Sequence, residues 1–259
     1  MKSMDTRLSV VDLRKSYKTS KTEALVIENL TFDVYPGEVV CIVGPSGVGK
    51  TTLLRCIAGL QPLTSGVVKL DGVPISGPPE GMALVFQDYN RSLMPWLSVE
   101  KNVAFPLKSK KLSREEKAER IKSAISAVGL SGSESKFPWQ LSGGMQQRVA
   151  IARAIAYRPE ILIMDEPFAS VDAQTRFELE DLCLKVRDEF GITVLLVTHD
   201  IDEAVYMSDR IVVIGKKPAV VTETIQVPLP AQRDQITTRE THEFTQTRSH
   251  VLELVQKAH

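Results

Sequence analysis

Apolar runs and polar turns alternate along the chain, and their lengths indicate short strands and longer helices. Residues 38–43 (EVVCIV) and 161–164 (ILIM) are nearly continuous apolar runs, typical of strands buried on both faces of a sheet. Further strands are predicted at 8–13, 30–34, 67–70, 83–86, 193–197 and 210–214, and helices at 50–60, 175–190, 201–207 and 243–257. This alternation predicts an α/β fold with a mainly parallel core sheet and an antiparallel β part at the N-terminus.

The pattern becomes helical in the middle of the chain, between approximately residues 90 and 157. Ser113 and Glu116 have the spacing of a capping box, and apolar residues follow them at helical intervals. We therefore predict a helical subdomain at about 90–157, inserted in a domain that extends over residues 1–227. A polar C-terminal extension, residues 228–259, carries a last helix.

Charge and cysteine content exclude several classes of protein. The chain has 32 Lys and Arg against 32 Asp and Glu. The zero net charge argues against binding through a strong basic field, so we expect no nucleic-acid partner. Cys41, Cys56 and Cys183 are odd in number and far apart, which favours reduced buried thiols over disulfides or zinc. The polar N-terminus has no signal sequence, and no run approaches the ~18 apolar residues of a membrane span.

A glycine-rich segment follows the predicted strand at 38–43 and opens the helix at 50–60. It matches the phosphate-binding pattern G-x-x-x-x-G-K-[ST] with Gly44, Pro45, Ser46, Gly47, Val48, Gly49, Lys50 and Thr51. Glycines allow successive backbone N–H groups to converge on an anion at a helix N-terminus. We expect Lys50 to contact the β- and γ-phosphates of a nucleoside triphosphate, Thr51 to bind Mg²⁺, and Thr52 to be a further phosphate contact.

Two adjacent carboxylates, Asp165 and Glu166, follow the predicted strand at 161–164. A buried parallel strand places its last residue at the carboxyl edge of the sheet, where the phosphate-binding loop is also expected. Asp165 is then expected to orient the ligands of Mg²⁺, and Glu166 to act as general base on the attacking water. Without the phosphate-binding pattern, a helix N-cap followed by a solvated charge would explain the pair equally well.

A third motif, Leu141-Ser-Gly-Gly-Met-Gln146, lies between these two segments and opens a predicted helix. It resembles the signature sequence of ATP-binding-cassette (ABC) ATPases, and the combined motifs resemble that family over approximately residues 8–225. The resemblance implies a P-loop NTPase of the ABC ATPase fold, with ATP and Mg²⁺ as ligands. Ser142, Gly143 and Gly144 would form a second anion-binding helix start, one without a lysine.

The other landmarks of the family occur in the same order. Gln87 resembles the Q-loop glutamine, His199 the switch histidine and Tyr17 the aromatic residue that stacks on adenine. An ordinary strand-end tyrosine remains the alternative for Tyr17. Residues 169–172 (ASVD) resemble the D-loop, with Val171 where leucine is more usual. The resemblance implies Lys50, Gln87, Glu166 and His199 as catalytic residues, and Thr51, Gln87 and Asp165 as the Mg²⁺ site.

In ABC ATPases the nucleotide lies between two chains arranged head to tail, which implies a homodimer or a pair with a similar ATPase chain. Residues 87–103 and 200–204 resemble the ATPases of bacterial importers for nitrate, sulfonate, taurine or bicarbonate. That resemblance implies transmembrane permease subunits, an indirect partnership with an extracytoplasmic solute-binding protein, and a peripheral location at the cytoplasmic face of the cell membrane. An importer of thiamine precursors or another small compound, a soluble ABC ATPase without a permease, and an exporter motor remain alternatives.

The stretch from Tyr89 to Leu97 has an aromatic and apolar character, with Leu93, Met94, Pro95 and Trp96. These residues either belong to the core of the helical subdomain or form a groove for a short coupling helix of a membrane partner. The two interpretations can apply to different residues of this stretch.

Overall fold

The computed structural model describes residues 6–18, 22–87 and 92–258. The start of the chain up to Asp5 and the aromatic Tyr89, both used in the sequence interpretation, lie outside these ranges. The strands are β1 (Leu8–Lys18), β2 (Glu23–Val34), β3 (Val39–Val43), β4 (Ser65–Leu70), β5 (Val73–Pro74), β6 (Met82–Val85), β7 (Ile161–Asp165), β8 (Thr193–Val197), β9 (Arg210–Gly215) and β10 (Val220–Gln226). The helices are α1 (Lys50–Ile57), α2 (Val99–Ala104), α3 (Arg114–Ala127), α4 (Gly143–Ala156), α5 (Ala173–Phe190), α6 (Ile201–Met207) and α7 (His242–Lys257), with short 3₁₀ turns at Phe105–Ser109 and Pro138–Gln140.

The chain divides into two compact units. The first contains the residues up to Met82 and those from Thr193 onward, and the second contains residues 83–192. The second unit is longer than the helical subdomain predicted at about 90–157, because it also contains β7 and α5.

Two sets of strands build the first unit. Strands β2, β1, β4 and β5 lie side by side in that order in an antiparallel sheet. The other set has the order β10, β9, β3, β8, in which β3 is parallel to both of its neighbours and β10 is antiparallel to β9. All residues of β3 and β8 are buried, as expected for strands covered on both faces. The predicted parallel core and N-terminal antiparallel part are confirmed.

The register of β3 brings two candidate segments to the same edge of the sheet. Cys41 of β3 pairs with Leu196 of β8 and with Ile211 of β9. The chain leaves β3 directly into the glycine-rich segment, and it leaves β8 two residues before His199. Because β3 and β8 are parallel neighbours, both exits lie at the carboxyl edge.

Helix α4 is the central helix of the second unit, where it packs against α2, α3 and α5. The predicted capping box is present at the start of α3. Ser113 Oγ accepts from the Glu116 N–H at 3.1 Å, and Glu116 Oε2 accepts from the Ser113 N–H at 2.8 Å. Helix α5 ends at Gly191, whose φ of 63° is the left-handed conformation that glycine adopts without strain.

Several elements differ from the sequence prediction. Strand β2 begins at Glu23 instead of residue 30, and strands β5 and β10 are additional. Strand β10 (VVTETIQ) contains no fully buried residue, and it lacks the continuous apolar run by which β3 and β7 were identified. None of the described helices is both long and apolar enough to cross a lipid bilayer.

All three cysteines are buried, and none takes part in a disulfide within the described residues. Burial raises the pKa of the Cys41 thiol well above its ordinary value, and nearby Glu203 and Asp200 act in the same direction. Burial also raises the pKa of Cys56. A thiol with a raised pKa is a poor nucleophile, so these side chains behave as small apolar groups.

Candidate functional site

The glycine-rich segment joins β3 to α1 with backbone conformations that favour glycine. Gly47 has a φ of 72°, and Gly49, the N-cap of α1, has a φ of 113°. A Cβ at Gly49 would also lie 2.9 Å from Val26 Cγ1. Helix α1 has no side-chain hydrogen bond at its N-cap and no acidic residue in its first turn. The helix start therefore presents backbone N–H groups and positive potential, which fits a bound phosphate group.

Lys50 is the first residue of α1, and its side chain folds back along the loop. Its Nζ donates hydrogen bonds to the carbonyl oxygens of Gly44 at 2.7 Å and Pro45 at 3.0 Å. The residue is only 6% exposed. The ammonium group is thus held within the glycine-rich loop, where an anionic phosphate is a stronger acceptor than a neutral carbonyl. Thr51, the next residue, is exposed, and Thr52 is half-buried.

Strand β9 packs closely against the glycine-rich loop, and the turn that follows β9 lies near it. A Cβ at Gly44 would lie 2.3 Å from the carbonyl oxygen of Ile214, so no side chain fits there. A Cβ at Gly47 would lie 3.9 Å from Lys217 Nζ. The loop conformation therefore depends on contacts with β9 as well as on its own glycines.

Tyr17 lies near the end of β1, where the residue is 40% exposed. Its hydroxyl donates to Gln61 Oε1 at 2.8 Å, and Lys15 Nζ lies 4.8 Å from the ring centroid. These contacts fix the ring and leave part of it accessible. The geometry is compatible both with stacking on adenine and with an ordinary strand-end tyrosine, so the adenine contact stays a prediction.

In the second unit, β7 ends at Asp165, which is 6% exposed, and Glu166 follows it. Glu166 has a φ of 44°. The left-handed conformation costs a residue with a side chain about 1–2 kcal/mol, and such strain is concentrated at functional sites. Gln87 Nε2 donates to Glu166 Oε2 at 3.0 Å. The structure therefore brings the predicted Q-loop glutamine and the predicted general base into direct contact.

Helix α4 begins at the signature motif. Its N-cap is Ser142, whose Oγ accepts from the Met145 N–H at 3.3 Å, and its first turn has no acidic residue. Ser142 and Gly143 are exposed. A Cβ at Gly144 would lie 2.4 Å from Thr175 Cγ2 of α5. Gly144 is therefore required by helix packing as well as by the predicted anion site.

Thr175 is held in turn by Asp172, the last residue of the predicted D-loop. The Thr175 hydroxyl donates to Asp172 Oδ2 at 2.6 Å, and the Thr175 N–H donates to Asp172 Oδ1 at 3.0 Å. These two hydrogen bonds, the side-chain bond first, lower the pKa of Asp172. The carboxylate thus stays ionised at the N-terminus of α5, where the helix dipole favours negative charge.

His199 belongs to the first unit, where it lies exposed between β8 and α6. Thr198 Oγ1 accepts from the Asp200 N–H at 3.0 Å, and Asp200 Oδ1 accepts from the Glu203 N–H at 3.1 Å. His199 is therefore flanked by two residues whose side chains fix the backbone.

The predicted site residues are divided between the two units. The first unit contains Tyr17, Gly44 to Thr52 and His199, and the second contains Gln87, Ser142, Gly143, Gly144, Asp165 and Glu166.

Asn102 is a buried residue whose structural role sequence reasoning missed. Its amide is fully buried, and its Oδ1 accepts from the Met94 N–H at 2.9 Å. Its Nδ2 lies 3.1 Å from the carbonyl oxygen of Met94, 2.9 Å from that of Leu97 and 3.1 Å from that of Ser98. One side chain thus fixes the turn that carries Trp96. A polar residue among the apolar positions of a short helix (VEKNVA) was the available signal.

Arg153 of α4 is the second missed residue. Its guanidinium donates to the carbonyl oxygen of Ser92 at 2.5 Å and to Ser92 Oγ at 2.9 Å, and burial lowers its pKa.

The residues of the apolar stretch differ in exposure: Leu93 is 3% exposed, Met94 is half-buried, and Trp96 is 71% exposed. Leu93 therefore belongs to the core of the unit, whereas Trp96 belongs to its surface.

The profile of the ABC transporter family matches residues 27–169. The chain belongs to this family. An uncharacterized ABC transporter ATP-binding protein of Methanocaldococcus jannaschii is 45% identical over 98% of this chain and 92% of its own length. A nitrate import ATP-binding protein of Synechococcus elongatus is 40% identical over 94% of this chain and 89% of its own length. Import ATP-binding proteins named for aliphatic sulfonates, taurine and bicarbonate are similar as well. The chain is an ABC ATPase of this group.

Solved structures of ABC cassettes have the same fold. A Clostridium perfringens protein described as part of an ABC transporter complex has a TM-score of 0.77 and 31% identity, over 86% of this chain and 89% of that one. An ATP-binding cassette in a dimeric post-hydrolysis state with ADP and Pi has a TM-score of 0.72 and 33% identity, over 85% of this chain and 98% of that one. The predicted ABC ATPase fold is confirmed.

Proposed function

We propose that this ABC ATPase is the motor subunit of a membrane importer and that it hydrolyses Mg-ATP in a head-to-tail dimer. The observation that carries the proposal is the start of α1. Two glycines with positive φ, an N-cap without a side-chain hydrogen bond and the buried Lys50 ammonium form a preorganised phosphate site there.

The residues of the chain have distinct proposed roles. Lys50 binds the β- and γ-phosphates of ATP and stabilises the charge of the transferred phosphoryl group. Glu166 accepts the proton of the attacking water. Gln87 donates a hydrogen bond to the Glu166 carboxylate at 3.0 Å and orients that carboxylate. His199 contacts the γ-phosphate. Mg²⁺, which we propose is bound by Thr51, Gln87 and Asp165, would neutralise charge on the phosphates.

A composite site explains why one chain has two anion-binding helix starts. The start of α4 offers N–H groups and the Ser142 hydroxyl, but it has no lysine and no acidic residue in its first turn. It is suited to complete a site that begins on another chain. The dimeric ATP-binding cassette with ADP and Pi, 33% identical to this chain, supports a dimer of this kind.

The importer assignment is supported by the relatives named for nitrate, aliphatic sulfonate, taurine and bicarbonate transport. We propose a small anion of this type as the solute, selected by a permease and an extracytoplasmic binding protein, with the ATPase at the cytoplasmic face of the membrane. Trp96, which is 71% exposed on a turn fixed by Asn102, is the proposed permease contact. Thiamine precursors or another small compound remain the alternative solutes.

The catalytic proposal is tested with Glu166→Gln, which keeps the shape of the side chain and removes the base. We expect ATP binding to be retained and turnover to fall by about 10²–10⁴-fold. Size-exclusion chromatography with Mg-ATP should show the variant as a dimer. Glu189→Gln is the matched control, because Glu189 is an exposed carboxylate of the same unit. A Glu166→Gln variant that hydrolyses ATP at the wild-type rate would exclude Glu166 as the base.

The importer proposal is tested by reconstitution with a permease that co-purifies with the ATPase from membranes. Proteoliposomes that contain both proteins and the solute-binding protein should accumulate labelled nitrate, taurine, an aliphatic sulfonate or bicarbonate only when ATP is supplied on the ATPase side. ATP-driven efflux of the solute would instead identify an exporter. Failure of any membrane protein to co-purify with an active ATPase would favour the soluble alternative.

A further inference from the structure

The C-terminal extension holds one end of α6, the helix that follows His199. Arg233 donates a hydrogen bond from Nη1 to the carbonyl oxygen of Tyr206 in the last turn of α6. Its Nη2 lies 3.4 Å from Asp209 Oδ1. The Arg239 guanidinium lies 4.8 Å from the Tyr206 ring centroid. The segment after β10 therefore packs on the end of α6 through two arginines.

The last helix holds the other end of α6. Arg248 Nε of α7 donates to Asp202 Oδ1 at 2.8 Å, and Asp202 lies in the first turn of α6. Both residues of this ion pair line a cleft of about 350 Å³ between α7 and the start of α6. The cleft is lined by His199, Asp200, Ile201, Asp202, Arg248 and Leu252. The switch histidine and the C-terminal helix thus border the same cleft.

Helix α7 is itself firmly attached to the first unit. Phe244 and Val251 are 3% and 0% exposed. His250 Nε2 lies 2.8 Å from Glu223 Oε1 of β10, and the Lys216 N–H donates to the carbonyl oxygen of Ala258. A helix anchored along its length gives Arg248 a fixed position from which to hold α6.

We infer that the C-terminal extension is a positioning element for His199, acting through α6. The inference rests on the proposed function, in which His199 contacts the γ-phosphate. Helix α6 begins two residues after His199, and its N-cap Asp200 is bonded to Thr198. A displacement of the first turn of α6 therefore moves the backbone of His199. Arg248 acts through Asp202 and touches no reacting atom, so it is a positioning residue.

Reversal of the charge at Arg248 tests this role. The ion pair is partly exposed, with 45% and 42% of the two side chains accessible, so a neutral substitution would have a small effect. Arg248→Glu places a carboxylate beside Asp202 and Asp200, and the repulsion displaces the first turn of α6 from the anchored α7. We expect kcat for ATP to fall about two- to fivefold while KM changes by less than about twofold. Arg248→Lys should retain most of the activity.

The swapped pair Asp202→Arg with Arg248→Glu should recover most of the lost kcat, because it restores an ion pair at the same place. Lys257→Glu is the matched control: Lys257 lies on the same helix in an exposed ion pair with Glu253, and the variant has the same net charge as Arg248→Glu. Circular dichroism checks that each variant is folded. If Arg248→Glu is unfolded at the assay temperature, Arg248→Gln takes its place, with a loss of about twofold expected.

The inference is overturned if Arg248→Glu, or Arg248→Gln in its place, has the wild-type kcat. It is also overturned if Lys257→Glu loses as much activity or if the swapped pair recovers nothing. The His199→Ala variant separates this result from failure of the proposed function. A His199→Ala variant with the wild-type kcat, or a wild-type chain without ATPase activity, would overturn the role of His199 itself.

Discussion

Replacement of Asn102 by alanine should destabilise the turn that presents Trp96, and the structure allows the cost to be counted. Four backbone groups lie within hydrogen-bond distance of the Asn102 amide. Two of them keep another partner: the Met94 carbonyl accepts from the Leu97 N–H at 3.0 Å, and the Ser98 carbonyl accepts from the Asn102 N–H at 2.8 Å. The Met94 N–H and the Leu97 carbonyl oxygen are the groups that lose the bond made by the amide.

A buried polar group that loses its partner costs about 1–3 kcal/mol. Met94 and Leu97 are half-buried, so water will recover part of this loss. We therefore expect Asn102→Ala to lower the free energy of unfolding by about 2–4 kcal/mol. Urea unfolding followed by circular dichroism measures this change. Lys101→Ala, at the exposed neighbouring position, should change it by less than about 0.5 kcal/mol.

The local effect can be separated from the global one with tryptophan fluorescence. In a Trp139→Phe background, Trp96 is the single tryptophan of the chain. Its fluorescence anisotropy should fall in Asn102→Ala, because the turn no longer has its hydrogen bonds, and it should stay unchanged in Lys101→Ala. An Asn102→Ala protein as stable as the wild type and with the same Trp96 anisotropy would refute the argument that this amide holds the turn.

Three further predictions concern turnover and coupling. Lys50→Ala should weaken nucleotide binding and lower ATP turnover by at least about 100-fold, measured by phosphate release; near-normal hydrolysis would contradict the phosphate-site assignment. Ser142→Arg should be inactive alone, but mixing it with Lys50→Ala should restore part of the activity, because half of the sites in a mixed dimer combine an intact loop with an intact signature. No recovery from a mixture shown by light scattering to contain dimers would count against a composite site. Substitution of both Met94 and Trp96 by alanine should abolish solute uptake in proteoliposomes while the isolated subunit keeps its ATPase rate; loss of the circular dichroism signal would show a packing role instead.

The strands that define the core could be predicted because their apolar runs are unambiguous. Strand β8 occupies 193–197 and helix α6 occupies 201–207, as their apolar patterns indicated. The phosphate-binding segment could also be predicted from the sequence, because its glycines are required by the local backbone conformation. The φ angle is 72° at Gly47 and 113° at Gly49.

Features that depend on distant contacts could not be predicted in this way. The position of Asn102 among the apolar residues of its helix indicates burial, but the backbone groups that its amide binds could not be predicted, because they belong to the turn that folds over it. The left-handed conformation of Glu166 could not be predicted from the sequence either, because glutamate rarely adopts this conformation. Gly144 was assigned to anion binding on motif grounds, yet its contact with Thr175 requires knowledge of how α4 and α5 cross.

The contact between Gly144 and Thr175 has a mechanical consequence. The Thr175 methyl group fills the space that a side chain at position 144 would need. This close packing leaves α4 and α5 little room to move past each other at this point. Thr175 is tied to Asp172 by two hydrogen bonds. The first turns of α4 and α5 are therefore in fixed contact, and we expect a displacement of Ser142 at the start of α4 to displace Asp172 at the start of α5.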